Sequence, residues 1–256
     1  MNIVAINGSH RGRKGYTHFL IEKLFDGARA GAANCEEIIL SELNIKNCTG
    51  CFTCQREGHL RRCIYEGKDD AESVFKKMRE ADIIVFATPV YVFAMSSLIK
   101  NLLERYNATA DCNDFKISRS GLFFHDIDTA LCSKPFITII CQDNIEKETH
   151  RNIVDYFKTY ARFMDARYAG SLVRTAGMIA GYGSDKTKFD KYPILTDIYA
   201  AFYDAGLELT KNGTISRSVQ KRANRQLVPV PPFVKLLARV PAVRDRIAAE
   251  RTKMMG

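Results

Sequence analysis

Five short runs of the chain are too apolar to face water, and helical patterns separate them. No other feature constrains the fold as much. The runs are NIVAIN (2–7), EIIL (37–40), DIIVFA (82–87), PFITIIC (135–141) and residues 167–173. Between and after them, 17–30, 69–81, 95–106, 146–165 and 192–211 read as helices. The clearest is 146–165, which carries Ile153, Phe157, Tyr160 and Met164 on one stripe. Buried strands joined by helical crossovers give a parallel sheet covered on both sides. Residues 107–134 fit no element and are expected as a long connection, a lid over a site.

Five strands in this order point to a doubly wound α/β fold of the flavodoxin type, in which ligands sit at the carboxyl ends of the strands. Three loops lie there. The first, GSHRGRKGYT (8–17), joins strand to helix with glycines that let backbone N–H groups curl around an anion at the helix's positive end. Ser9 and Thr17 offer hydroxyls, Arg11 a guanidinium, and His10 a ring. The loop lacks both the GK[ST] of a triphosphate site and the three spaced glycines of a dinucleotide site. A single terminal phosphate suits it. The second loop, Thr88 to Phe93, places Pro89, Val90, Tyr91, Val92 and Phe93 where a flat apolar ring could lie. The third, Gln142 and Asp143 with Asn144, could bond the edge of that ring.

The total charge of +9 is uneven: residues 217–256 hold ten Lys and Arg against two Asp and Glu, a net of +8. A nearly neutral body argues against a nucleic-acid-binding surface. We therefore expect a flavodoxin-like body over 1–206 and a basic, Pro-containing helical extension over 207–256. In the extension Phe233, Leu236, Leu237 and Val240 form one apolar face. Packing on a neighbouring subunit is favoured for it over an anionic membrane surface or an acidic redox protein. The run Ile83–Met95 is too short to span a bilayer. The N-terminal order, apolar before basic, is the reverse of a secretory leader. A cytoplasmic location is expected, where clustered cysteines mean metal or redox chemistry rather than disulfides.

GSHRGRKGYT, CTGCFTC (48–54), the helix led by Asp69 and Asp70, and ADIIVFATPVYVFAMSSLIKNLLER together resemble the NADPH-dependent FMN reductase family, and within it the iron–sulfur flavoprotein branch. The resemblance runs over residues 1 to about 205. It implies FMN with its phosphate among Ser9, His10, Arg11, Gly15, Tyr16 and Thr17 and its ring on 89–93 and 142–143. NAD(P)H would be the co-substrate, a small molecule or redox protein the acceptor, and a homodimer or homotetramer the assembly. The family commonly has Asn where Tyr16 stands, so the resemblance carries over the loop's backbone contacts to phosphate and not that side chain's. No acid–base side chain is assigned, because hydride transfer to flavin N5 needs position and electrostatics only.

Cys48, Cys51, Cys54 and Cys63 follow the spacing C-x2-C-x2-C-x8-C. Three thiolates at intervals of three around Gly50, closed by a fourth, could wrap a 4Fe–4S cluster. A redox pair and a plain thiol loop stay open beside it. Three functions follow: an FMN-dependent NAD(P)H oxidoreductase, an iron–sulfur flavoprotein relaying single electrons between a ferredoxin-like partner and FMN, and a flavin-binding module without turnover. Cys35, Cys112, Cys132 and Cys141 read as scattered, and His125 as an incidental histidine of the connection.

Overall fold

The computed structural model describes residues 1–255. Strands β1 (Asn2–Asn7), β2 (Asn34–Ile39), β3 (Ile83–Tyr91), β4 (Phe136–Cys141) and β5 (Tyr168–Arg174) pair in parallel in the order β2-β1-β3-β4-β5. This is the doubly wound order with its switch between β1 and β3, where two neighbouring crossovers leave on opposite faces and open a crevice.

The period of two along each strand divides the core. Ile3, Ala5, Val85, Ile137 and Ile139 face α1 (Tyr16–Ala30) and α5 (Ile194–Asn212). Val4, Ile6, Ile84, Phe86 and Ile140 face α2 (Ala71–Glu80), α3 (Ser97–Glu104) and α4 (Arg151–Phe163). Helices α1 and α5 touch backbone to backbone. A Cβ on Gly27 would come within 1.8 Å of the Tyr203 carbonyl oxygen, and one on Gly206 within 1.9 Å of that of Leu24. That crossing sets the start of α1 firmly under the carboxyl end of β1.

Two expectations change. Residues 107–134 contain an antiparallel hairpin, Ala110–Ile117 with Phe123–Ile127, and a single helical turn, Thr129–Cys132. Its periodicity was hidden because Phe115, Ile117 and Phe123 are exposed and a register shift lies between Asp111 and Phe115. The expected boundary at 206 falls inside α5, and α6 (Arg217–Ala223) belongs to the body. Gln220 and Asn224 accept the backbone N–H groups of Ser171 and Val173 along the free edge of β5. The fully buried Arg174 donates to the carbonyls of Ala223 and Arg225 at 2.6 and 2.8 Å. Among the described residues the later part, α7 (Pro232–Leu237) and α8 (Pro241–Met255), is the appendage. Lys235 ties it to Glu146 of the same chain at 2.6 Å. Among the described residues no helix is long and apolar enough to cross a membrane.

Candidate functional site

Strand β1 hands its last residue to the first loop. Asn7, fully buried, accepts the Ser9 N–H at 2.8 Å and donates to Glu37 at 2.8 Å; Glu37 also pairs with His18 at 2.7 Å. The loop then turns through Gly12, which sits at φ +52°, and the Gly15 N–H returns to the Gly12 carbonyl at 3.0 Å. Gly15 brings no side chain to cap α1, so the first-turn N–H groups are left for a ligand. A Cβ there would lie 2.6 Å from Ser9 Oγ, so the hollow is one that a side chain would fill.

Ser9, Arg11, Tyr16, Thr17, Pro89, Val90, Tyr91, Gln142 and Asp143 line a single cleft with Cys141 and Tyr182. Three loops far apart in sequence meet there. Arg11 lies 5.1 Å from the centre of the Tyr182 ring, and the Tyr182 hydroxyl donates to Asp143 at 3.3 Å. Cys141 forms the floor at 3.1 Å from the Thr17 hydroxyl; burial pushes its thiol up to about 12, which keeps it neutral. The Tyr16 ring is part of the wall, but its hydroxyl bonds Tyr199 at 2.8 Å, turned into the core. The Tyr16 hydroxyl is therefore committed elsewhere, whereas its ring shapes the cleft. His10 stands at the rim, 3.2 Å from the Ser97 hydroxyl and 6.0 Å from the Tyr91 ring.

After Tyr91 the chain reverses through Val92 and Phe93, at φ +46° and +64°, into the two-residue strand Ala94–Met95. Positive φ at a β-branched residue is strained, and turns of this kind normally use Asn and Gly. Both side chains are exposed, Val92 at 89%. Strain of this sort persists where the surroundings or a ligand over-determine it.

The Gln142 amide donates to the carbonyls of Asn144 and Glu146, both at 2.8 Å, and accepts from His150 Nδ1 at 2.9 Å. It folds the third loop from inside, leaving Asp143 to face the cleft. Burial, reinforced by Lys147, holds the His150 pKa below its ordinary value. The neutral ring thus contributes stability that is complete above about pH 6.5 and lost as pH falls through the depressed value. The melting temperature of the wild type should fall more between pH 7 and pH 5 than that of His150→Gln. Equal slopes would remove His150 from this account.

The four motif cysteines gather around a second cavity, of about 180 Å³, with Tyr65, Arg105, Cys112 and His125. The hairpin brings the last two to the cavity wall. Gln55 knits the hairpin to the loop: its amide donates to Asn107 and Ala110 carbonyls at 2.9 and 3.0 Å and accepts from the Cys112 N–H at 2.8 Å. Arg61 pairs with Asp126 alongside. Three sulfurs accept N–H donors: Cys48 from Asn107 at 3.7 Å, Cys54 from Gln55 at 3.7 Å and Cys63 from Arg105 at 3.3 Å. A single zinc would draw its sulfurs to about 3.8 Å of one another. Among the described residues the group whose ligand atoms lie within 4.8 Å of one another is His18, Glu22 and Glu37, and the loop cysteines are not in it.

Residues 1–120 match the family model described as NADPH-dependent FMN reductase. An iron–sulfur flavoprotein of Archaeoglobus fulgidus is 37% identical over 105 residues, covering 41% of this chain and 48% of that protein. Another, from Methanocaldococcus jannaschii, is 32% identical over 105 residues, covering 41% and 51%. The chain thus spans about half the length of the curated relatives it matches. In fold, it is similar to an FMN-dependent NADH-azoreductase of Bacillus anthracis solved with FMN. That likeness has a TM-score of 0.58 and 13% identity over 82% of this chain and 99% of the other.

The matched segment, residues 1–120, supplies the first loop, the 89–93 turn and the four cysteines, but it completes neither cavity. Gln142, Asp143 and Tyr182 close the cleft and His125 closes the cysteine cavity, all from beyond residue 120. Tyr182 was missed in the sequence because GMIAGYG reads as a turn. The available signal was its position, in the loop that follows the last strand and so at the ligand end of the sheet.

Proposed function

We propose that the chain is an FMN-dependent oxidoreductase that takes hydride from NAD(P)H and passes electrons to a small-molecule or protein acceptor. The observation that carries this is the cleft at the β1/β3 switch. A hollow that a Gly15 side chain would fill, an uncapped helix start, the hydroxyls of Ser9 and Thr17, and Arg11 converge there beside a strained apolar turn. Those residues fit a phosphate followed by a flat ring. When bound, FMN would accept hydride at N5 and release electrons singly or in pairs. The chain's own part is to hold the phosphate at α1, to support the ring on Pro89 to Phe93, and to set Asp143 at the cleft. The exposed Tyr91, Val92 and Phe93 support a homo-oligomer in which a second subunit covers part of that ring. A cytoplasmic location goes with this reading.

A second reading, electron relay through a 4Fe–4S cluster, is favoured by the three N–H···S contacts on Cys48, Cys54 and Cys63. Cluster potentials depend on such donors. Protein purified without oxygen should bind FMN stoichiometrically and oxidise NADH or NADPH; absence of flavin absorbance after FMN is added would overturn the proposal. Flavin bound with no turnover would leave a binding module. Iron and sulfide near four per chain would bring in the relay.

A further inference from the structure

We infer that Arg105 closes the cysteine site and sets the electron affinity of the cluster that site would hold. The inference rests on the iron–sulfur reading above and concerns one buried side chain. Arg105 follows the last residue of α3 and is 3% exposed. Its Nη1 donates to the Lys46 carbonyl at 2.9 Å and to Asp69, and its Nη2 donates to Cys63 Sγ at 3.3 Å and to Asp69 Oδ1 at 3.4 Å. The guanidinium also lies 5.4 Å from the centre of the Tyr65 ring.

These partners belong to the two ends of the cysteine loop. Lys46 lies two residues before Cys48, and Cys63, Tyr65 and Asp69 form the return to α2. One planar fork therefore holds the mouth of the loop shut, and α3 anchors the fork in the core. Asp69 is the counter-ion, its own geometry fixed by the N–H groups of Lys46 and Ala71 at 3.0 and 3.2 Å. A fork of this kind cannot be replaced by an ammonium without losing one of its bonds.

A purely structural ion pair would have no need of the sulfur. Arg105 spends an N–H on Cys63, and that contact gives it an electronic role. One-electron reduction adds negative charge to a cluster and its thiolates. A cationic donor on a ligand sulfur stabilises that reduced state more than the oxidised one. Removing the donor should make the potential more negative. The neutral amides on Cys48 and Cys54, at 3.7 Å, should matter less.

The test uses full-length protein purified without oxygen: wild type, Arg105→Lys, Arg105→Gln and Asn107→Ala. Iron, sulfide and circular dichroism are measured on each sample, followed by a redox titration of the cluster signal. At a given potential, the ratio of reduced to oxidised cluster should drop at least tenfold in Arg105→Gln, a shift of about 59 mV for one electron. Arg105→Lys should shift less, Asn107→Ala least, and both Arg105 variants should lose iron to a chelator faster than wild type. Folded variants that come out iron-free support closure of the site. Iron-loaded Arg105 variants with wild-type potential and chelator resistance overturn the inference and leave the iron–sulfur reading intact. An iron-free wild type overturns both.

Discussion

Gly15→Val raises the FMN dissociation constant by about a hundredfold or more, roughly 3 kcal/mol, while the fold survives. Gly15 occupies extended backbone, φ −87° and ψ 155°, which valine adopts without strain. The difficulty lies in the first added atom, a Cβ 2.6 Å from Ser9 Oγ, 3.2 Å from the Gly12 carbonyl and 3.3 Å from Arg11 Cβ. Ser9 cannot yield quietly, because its N–H is held by Asn7 and its Oγ accepts the Arg11 N–H at 3.2 Å. Pushing it away opens the loop that should wrap the phosphate. Riboflavin, which has no phosphate, separates the two halves of the cleft: its affinity should change by less than about tenfold. Gly15→Ala, with two carbons fewer, should fall between wild type and valine. Equal losses for FMN and riboflavin would place the phosphate elsewhere.

The sheet was legible because each strand is a run of residues that water disfavours, and the first loop because a glycine turn between strand and helix has few uses. Other features depend on contacts that no local pattern records. The Tyr16 hydroxyl turns inward because Tyr199, 183 residues away, meets it. α6 is body rather than tail because Ser171 and Val173 on the edge of β5 need partners for their N–H groups, and Gln220 and Asn224 supply them. The hairpin was unreadable because Phe115, Ile117 and Phe123 point outward and only its ends, Ala110 and Ile127, are buried, so it lacks the continuous buried face that makes a strand recognisable. Its inner role, bringing Cys112 and His125 to the cysteines, appears only when Gln55 is seen bridging the two segments.

Serine at Cys48, Cys54 or Cys63 should leave the anaerobically purified protein with little or no iron, whereas Cys112→Ser should keep nearly all of it. Cys112 is exposed and stands at the cavity edge outside the closely spaced motif. Each motif sulfur in this account would bind one iron, and a hydroxyl is a poor substitute for a soft thiolate. The thiols do not start equal. A hydrogen bond with the Thr53 hydroxyl holds the Cys51 pKa below its ordinary value, and burial raises that of Cys54 despite the Gln55 amide. Binding must strip a proton from each thiol, so reconstitution with iron and sulfide should become easier as pH rises toward the ordinary thiol range, near 8.5. Cys54 should limit it. A Gln55→Leu variant removes the amide from the Cys54 sulfur and should push that pH dependence higher. If Cys112→Ser also loses its iron, the ligand set extends into the hairpin, and the cavity rather than the motif defines the site.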